Sequence, residues 1–248
     1  MDTLPIALDV LGYRPPGKAY TVREAQTIRE LDEVHRITHD SIVEAGYMPP
    51  QNGGRIISYP ELDSSPRTTI LVAMEGRRVI GTNSITADGP FGLHTDRHFR
   101  AETDVIRREG RRLVSSFRIA TDPSWTGRRS FALVQDLVKW SLVVAIHKYD
   151  FETILCTFNP KHETVYERWL AARTVRVIEA MEDDRIAAGA VMMRIDRERL
   201  PETVLREVNA VAQAVFVDRG PGSIAAGTEF FTPPREGGAP ATSSVLRP

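Results

Sequence analysis

A chain of 248 residues, 42% hydrophobic and 26% charged, has enough apolar material for one sizeable domain with its own core. Its 32 Lys and Arg against 33 Asp and Glu leave a net charge of -1, so there is no overall positive field to hold DNA, RNA or an anionic membrane, and a nucleic-acid role is excluded. The single cysteine, Cys156, cannot form an internal disulfide and sits in an apolar run as a small hydrophobe would, which points to a reducing, cytoplasmic setting.

Residues 1–17 carry aspartates and prolines where a signal peptide needs a basic start and an unbroken apolar stretch, and they read as a loose lead into a domain spanning 18–217. Ala19–Glu24 alternates as a strand, then Ile28, Leu31, Val34, Ile37 and Ile42 recur at helical spacing. That helix should stop near Gly46, with Tyr47 and Pro49-Pro50 beyond it. Residues 48–67, with prolines at 49, 50, 60 and 66, read as a long loop of the kind that is usually functional or disordered. Thr69–Met74 and Val79–Thr86 flank Glu75-Gly76-Arg77-Arg78 as a hairpin. The charged stretch 94–112, with Phe99, Val105 and Ile106, reads as a solvated, weakly amphipathic helical excursion.

Leu113–Thr121 is the next strand, and strict alternation puts Leu113, Ser115, Phe117 and Ile119 on one face and Val114, Ser116, Arg118 and Ala120 on the other. A guanidinium in such a strand needs a partner or a wet cleft. Asp122-Pro123 ends the strand, 127–129 form a turn, and Ser130 begins an apolar helix reaching about Tyr149. Its most apolar part, 131–146, is interrupted by Asp136 and Lys139 and falls short of a bilayer span, so no stable membrane insertion is expected. Strands follow at 174–180 and 187–196, then a helix from Pro201 to about 217 with Leu205, Val208, Val211, Ala212 and Val215 on one side. Residues 218–248 are rich in Gly, Pro, Ser and Ala, without periodicity, as disordered tails are.

Chemistry concentrates in Ile154–Leu170, where a β-branched apolar run meets Asn159-Pro160 and turns into a helix. Asn159 can cap that helix, Pro160 stands where a missing N–H costs nothing, and His162 and Tyr166 are four apart, on one helical face. The pairs His35/His39 and His94/His98 share that spacing, but no His-Glu-x-x-His pattern or cysteine cluster accompanies them, so no metal is expected. Trp125, Trp140 and Trp169 read as core or rim aromatics.

The order of elements over roughly 18–197 resembles the acyltransferase fold of the Gcn5-related N-acetyltransferase (GNAT) superfamily, an α/β (α+β) fold with a central mixed, mostly antiparallel sheet flanked by helices. Asn159-x-x-His162-x-x-x-Tyr166 is similar to that superfamily's Asn-x-x-Ala-x-x-x-Tyr segment, and the resemblance implies that Asn159 contacts a pantetheine arm while the Tyr166 hydroxyl donates to the departing thiolate. Two further segments, Arg36-x-x-His39-Asp40-x-x-Val43-x-x-Gly46-Tyr47 and Asn159-Pro160-Lys161-His162, resemble the long-chain N-acyl amino acid synthases of the FeeM type. The activity so implied moves a long acyl chain from an acyl carrier protein thioester to the amine of an amino acid.

One departure bears on the donor. Relatives that use coenzyme A carry a Gln/Arg-x-x-Gly-x-Gly/Ala loop whose backbone cradles the pyrophosphate, whereas PSWTGRRSF keeps only Gly127 and has Arg129 and Phe131 where small residues are expected. An acyl-phosphopantetheine thioester on a carrier protein has one phosphodiester and needs no such cradle. Gly127, Arg128, Arg129 and Lys161 would then contact the phosphopantetheine or the acidic carrier. Resemblance also assigns polarisation of the thioester carbonyl to a bulge near Arg118–Ala120. Tyr166 has a reference pKa of about 10 against about 8.5 for a thiol, which favours hydrogen-bond donation over early proton transfer. Glu44 is the first candidate to accept the amine's proton and His39 the second. Arg36 or Arg118 would take an acceptor's carboxylate, with Ser116, Asn159 and His162 along the substrate path. The alternatives are a conventional acyl-coenzyme A N-acyltransferase and a catalytically silent acyl or carrier-protein binding module. The Arg-x-x-Phe-x-x-Arg-x-x-Trp type segment of the acyl-homoserine-lactone synthases, which share this fold, is not found in the chain.

Overall fold

In the computed structural model, residues 12–179, 186 and 188–216 are described. The predicted tail at 218–248 and most of the N-terminal lead lie outside them. Strands β1 (Thr21–Glu24), β2 (Thr68–Glu75), β3 (Arg78–Ala87), β4 (Leu113–Thr121), β5 (Thr153–Phe158), β6 (Arg173–Ile178) and β7 (Ala190–Asp196) form one sheet in the order β1-β2-β3-β4-β5-β7-β6. Only β4 and β5 run parallel; the other neighbours are antiparallel.

Helix α1 (Ile28–Glu44) begins at Thr27, whose side chain accepts from the Glu30 N–H, and ends before Gly46 at φ 72°. It packs Val34 and Ile37 onto Ile70, Val72, Val79 and Ala120. Ile28, counted on its apolar stripe, is instead 88% exposed, since it stands in the first turn before the helix reaches the sheet. On the opposite face lie α4 (Gly127–His147) and α6 (Glu202–Phe216), joined by α5 (Glu163–Leu170), in one core with Leu71, Ile85, Val114, Ile154 and Cys156. Val204, Val208, Val211 and Ala212 dock α6 onto its own domain.

Four expectations need correction. The loop 48–67 contains a one-turn helix, α2 (Pro60–Asp63), with Pro60 at its start. The stretch 94–112 is not a solvated excursion: a 3-10 turn at His94–Arg97 leads into α3 (Arg100–Arg107), and Phe99 and Ile106 are buried against Leu113, Leu155 and Met192. Part of its charge is paired, because Arg107 binds Asp96 and Asp104 within the stretch and Asp88 before it. Residues 127–129 are the first turn of α4 rather than a turn before it, because Gly127 at φ 55° lets the chain enter the helix directly after Thr126. At 21 residues α4 therefore reaches the length of a bilayer span, and what marks it as a core helix is its packing: Leu133, Leu137, Trp140, Leu142 and Ala145 are buried.

Strict alternation fails in the second half of β4. The register runs Ser84↔Phe117 and then Thr82↔Ala120, so Arg118 and Ile119 share the space opposite Asn83 in a bulge, with Arg118 at φ 60°. The inserted residue reverses the phase. Ala120 consequently packs with the α1 face and Ile119 with the α4 core, the opposite of the simple alternation.

Candidate active site

Parallel pairing of β4 with β5 covers only Leu113–Ser116 against Thr153–Cys156, after which the strands part. The bulge sits just past this fork, leaving Arg118 and Ile119 without a pairing partner on β3 or β5. A wedge between diverging strands, lined by unpaired backbone, is the kind of opening in which a thioester carbonyl can meet free N–H groups.

On the α1 face of the fork, Arg118 turns to Asp63 of α2, Nη1 donating to Oδ1 at 2.6 Å, while Asp63 Oδ2 lies 2.9 Å from Nε2 of His35 on α1. All three side chains are buried, at 3%, 6% and 8% exposure. Burial alone would raise the Asp63 pKa, but the hydrogen bond from His35 and the Arg118 charge hold it below the ordinary carboxylate range. The left-handed backbone of Arg118 costs on the order of 1–3 kcal/mol, a strain that persists only where the surrounding structure fixes the residue. Beside Arg118, the Phe117 ring stacks on His94, and Tyr59 meets both rings edge-on. His94 Nε2 reaches Thr157 Oγ1 on β5 at 3.2 Å, and burial pushes its pKa down to about 3, so the ring is neutral.

Across the sheet, Tyr166 packs flat on Phe158 with ring centroids 3.9 Å apart. Burial, with a smaller contribution from Cys156, raises its pKa above that of a free phenol, so at neutral pH it is a proton donor. Asn159 caps the 3-10 turn Pro160–His162, its Oδ1 accepting from the Lys161 N–H at 3.1 Å. His162, at the end of that turn, is exposed while Tyr166, four residues on, is buried, so of the two only Tyr166 reaches the core. Lys161 Nζ lies 5.1 Å from the Tyr47 ring centre, which brings the ends of the two motif segments together.

The remaining sequence candidates are spread more widely. Ser116 stands at the fork but its hydroxyl is engaged with Asn83, which also donates to Ser141 on α4. His39 is buried with both ring nitrogens occupied, Nδ1 by Asp40 and Nε2 by the Gln51 N–H, and so fastens the 48–54 segment to α1. Glu44 is exposed at the end of α1. Arg36 pairs with Asp40 and lines a separate pocket of about 400 Å³ with Arg29, Glu33, Glu75, Arg77 and Arg78. Arg128 is exposed, and Arg129 lies 3.5 Å above the Trp125 ring and reaches Glu75.

The profile of the N-acyl amino acid synthase family FeeM matches residues 33–196, well over half of the chain, from within α1 to the end of β7. The chain belongs to the FeeM family. The structure of FeeM, an N-acyl amino acid synthase from uncultured soil microbes, superimposes with a TM-score of 0.61 at 22% identity, over 73% of this chain and 94% of that one. The ribosomal-protein-S5-alanine acetyltransferase from Vibrio fischeri superimposes with a TM-score of 0.51 at 11% identity, over 77% and 99%. No curated protein matches the sequence significantly. The fold is that of the GNAT acyltransferases, and this FeeM-family chain is an N-acyltransferase.

Within that frame, the residues missed from sequence are His35, Asp63, His94 and Thr157. Asp63 lay in a segment read as loop and His94 in one read as solvated. The need of Arg118 for a partner was the available signal, and it named neither the partner nor its element. Among the described residues no group of three or more His, Cys, Asp or Glu could hold a metal ion.

Proposed function

We propose that this acyltransferase moves a long acyl chain from the phosphopantetheine thioester of an acyl carrier protein to the amine of an amino acid. The observation that carries the reading is the fork itself: a bulged β4 beside a parting β5, with a buried proton-donating Tyr166 on one face and a buried Arg118 on the other.

In the proposed reaction the neutral amine attacks the thioester carbonyl, whose oxygen is stabilised by N–H groups of the bulge at 118–120. The C–N bond forms, the C–S bond breaks, and Tyr166 donates its proton to the leaving sulfur. Asn159 and His162 lie along the pantetheine path and Ser116 at its inner end. Arg118 takes the acceptor's carboxylate. Glu44, alone or through water, is the first choice for the amine's proton; His39 ranks second, since it accepts the Gln51 N–H and would have to release it to act as a base.

A carrier protein is favoured as donor over coenzyme A by the start of α4. After Gly127, the exposed Arg128 and Arg129 bring positive charge where a nucleotide-binding loop needs small residues, and with the exposed Lys161 they suit an acidic carrier. Expression in a bacterial host followed by mass spectrometry of the organic extract tests the function. N-acyl amino acids should accumulate with the native chain and fall roughly 100-fold with Tyr166→Phe, in line with loss of a general acid, and strongly with Arg118→Ala. An extract matching the empty-vector control overturns the reading.

A further inference from the structure

Five buried side-chain atoms lack a hydrogen-bond partner among the described residues: Ser84 Oγ, His94 Nδ1, Arg111 Nε, Ser115 Oγ and Arg118 Nη2. Four of them gather on the α1 face of the fork. Ser84 is directly opposite Phe117, Ser115 precedes Phe117 by two on the same face, His94 stacks on Phe117, and Arg118 follows it. A charged donor without a partner in such surroundings is the costliest of the four, and Arg118 has one arm in that state.

The other arm is fixed. Asp63 gives one oxygen to Arg118 and the other to His35, so neither oxygen is left to turn toward a ligand, and the guanidinium cannot swing without breaking a buried ion pair. Three elements, α1, α2 and the β4 bulge, thus converge to aim one N–H group. Arg118 turns to the α1 face and Tyr166 packs in the α4-side core, so the two groups stand on opposite faces of the sheet.

We propose that Asp63, locked by His35, is a positioning residue that holds Arg118 Nη2 for the carboxylate of the acceptor, and that this trio makes the enzyme select α-amino acids over amines without a carboxylate. The inference rests on the proposed N-acylation and assigns its acceptor selectivity. His35 and Asp63 touch no substrate; they act through Arg118.

Steady-state kinetics of the purified enzyme with acyl carrier protein thioester test it, using acceptors in pairs that differ only by the carboxylate: tyrosine with tyramine, phenylalanine with phenethylamine, leucine with 3-methylbutylamine. Asp63→Asn keeps the shape and removes the charge. It should raise KM for the preferred amino acid at least tenfold, leave KM for the matching amine within twofold, and change kcat less than threefold. His35→Gln, which leaves the Asp63–Arg118 pair in place, should shift the same ratio in the same direction by a smaller factor, and it decides the matter if Asp63→Asn does not fold by circular dichroism. Equal losses on amino acid and amine, or no loss on either, overturn the assignment while leaving the acyl transfer standing. No acylation of any acceptor by the native enzyme would overturn the functional reading, and the inference with it.

Discussion

Arg118 and His94 carry opposite lessons about single residues. Arg118 stood out in the sequence because a guanidinium in an apolar strand demands compensation, and it has that compensation in Asp63. His94 offered no such signal, since one histidine in a run of charges looks like a surface group. Its burial depends on Phe99 and Ile106 entering a core whose other half comes from β4, β5 and β7. The environment of His94 makes a testable demand on stability. Its folded pKa of about 3 lies below the ordinary 6.5, so between these values the unfolded chain binds the extra proton and stability falls as pH falls. The slope from this group is about 1.4 kcal/mol per pH unit. Urea titrations at pH 6.5, 5.5 and 4.5 should show His94→Phe, which keeps the stack on Phe117, losing less stability on acidification than the native chain. Parallel losses in the two proteins would contradict the neutral, buried ring.

Elements were legible where periodicity alone decides them. All seven strands and the helices α1, α4, α5 and α6 fall where apolar spacing, caps and turn residues put them, to within a few residues. Other features were legible only in part. The bulge in β4 was placed near Arg118–Ala120 by family resemblance alone, since Arg118 adopts positive φ without being glycine, and its reversal of the facing of Ile119 and Ala120 was not foreseen. The α4 start was masked because Gly127 looked like a turn when it is the hinge of entry. The four-residue spacing of His162 and Tyr166 did not show that one is exposed and the other buried. At this scale a close joint between sheet and helix is Gly81 of β3, where an added Cβ would meet Leu133 Cδ2 and Leu137 Cδ1 of α4, both at 3.1 Å. Gly81→Val should therefore overpack the β3–α4 contact and lower stability by about 1–3 kcal/mol, read as a lower urea midpoint with unchanged slope. An unchanged midpoint would mean that α4 does not sit this closely on the sheet.

Across the whole molecule, a net charge of -1 conceals a division of labour. Positive side chains outnumber acids around the start of α4 and the β2–β3 turn, where Arg36, Arg77, Arg78, Arg128 and Arg129 stand with Glu33 and Glu75, while Asp88, Asp96 and Asp104 surround Arg107. Composition cannot show this separation, which arises only when the hairpin and α4 are brought side by side. The motif segments 36–47 and 159–166, distant in sequence, meet through Lys161 and Tyr47 for the same reason. The superfamily and Tyr166 could be picked out from sequence, whereas the contacts of Arg118 with Asp63 and His35 arise only when α1 and α2 pack onto the fork. Reconstitution with purified components is the most direct test of the proposed reaction: a long acyl chain loaded on acyl carrier protein, isotopically labelled amino acids, and mass spectrometry of the products, with acyl-coenzyme A in a parallel reaction. The account predicts labelled N-acyl amino acid together with an equal amount of free carrier thiol, and a much slower reaction from coenzyme A. Amide formed only from coenzyme A would contradict the donor, and no amide from either donor would contradict the enzyme proposed here.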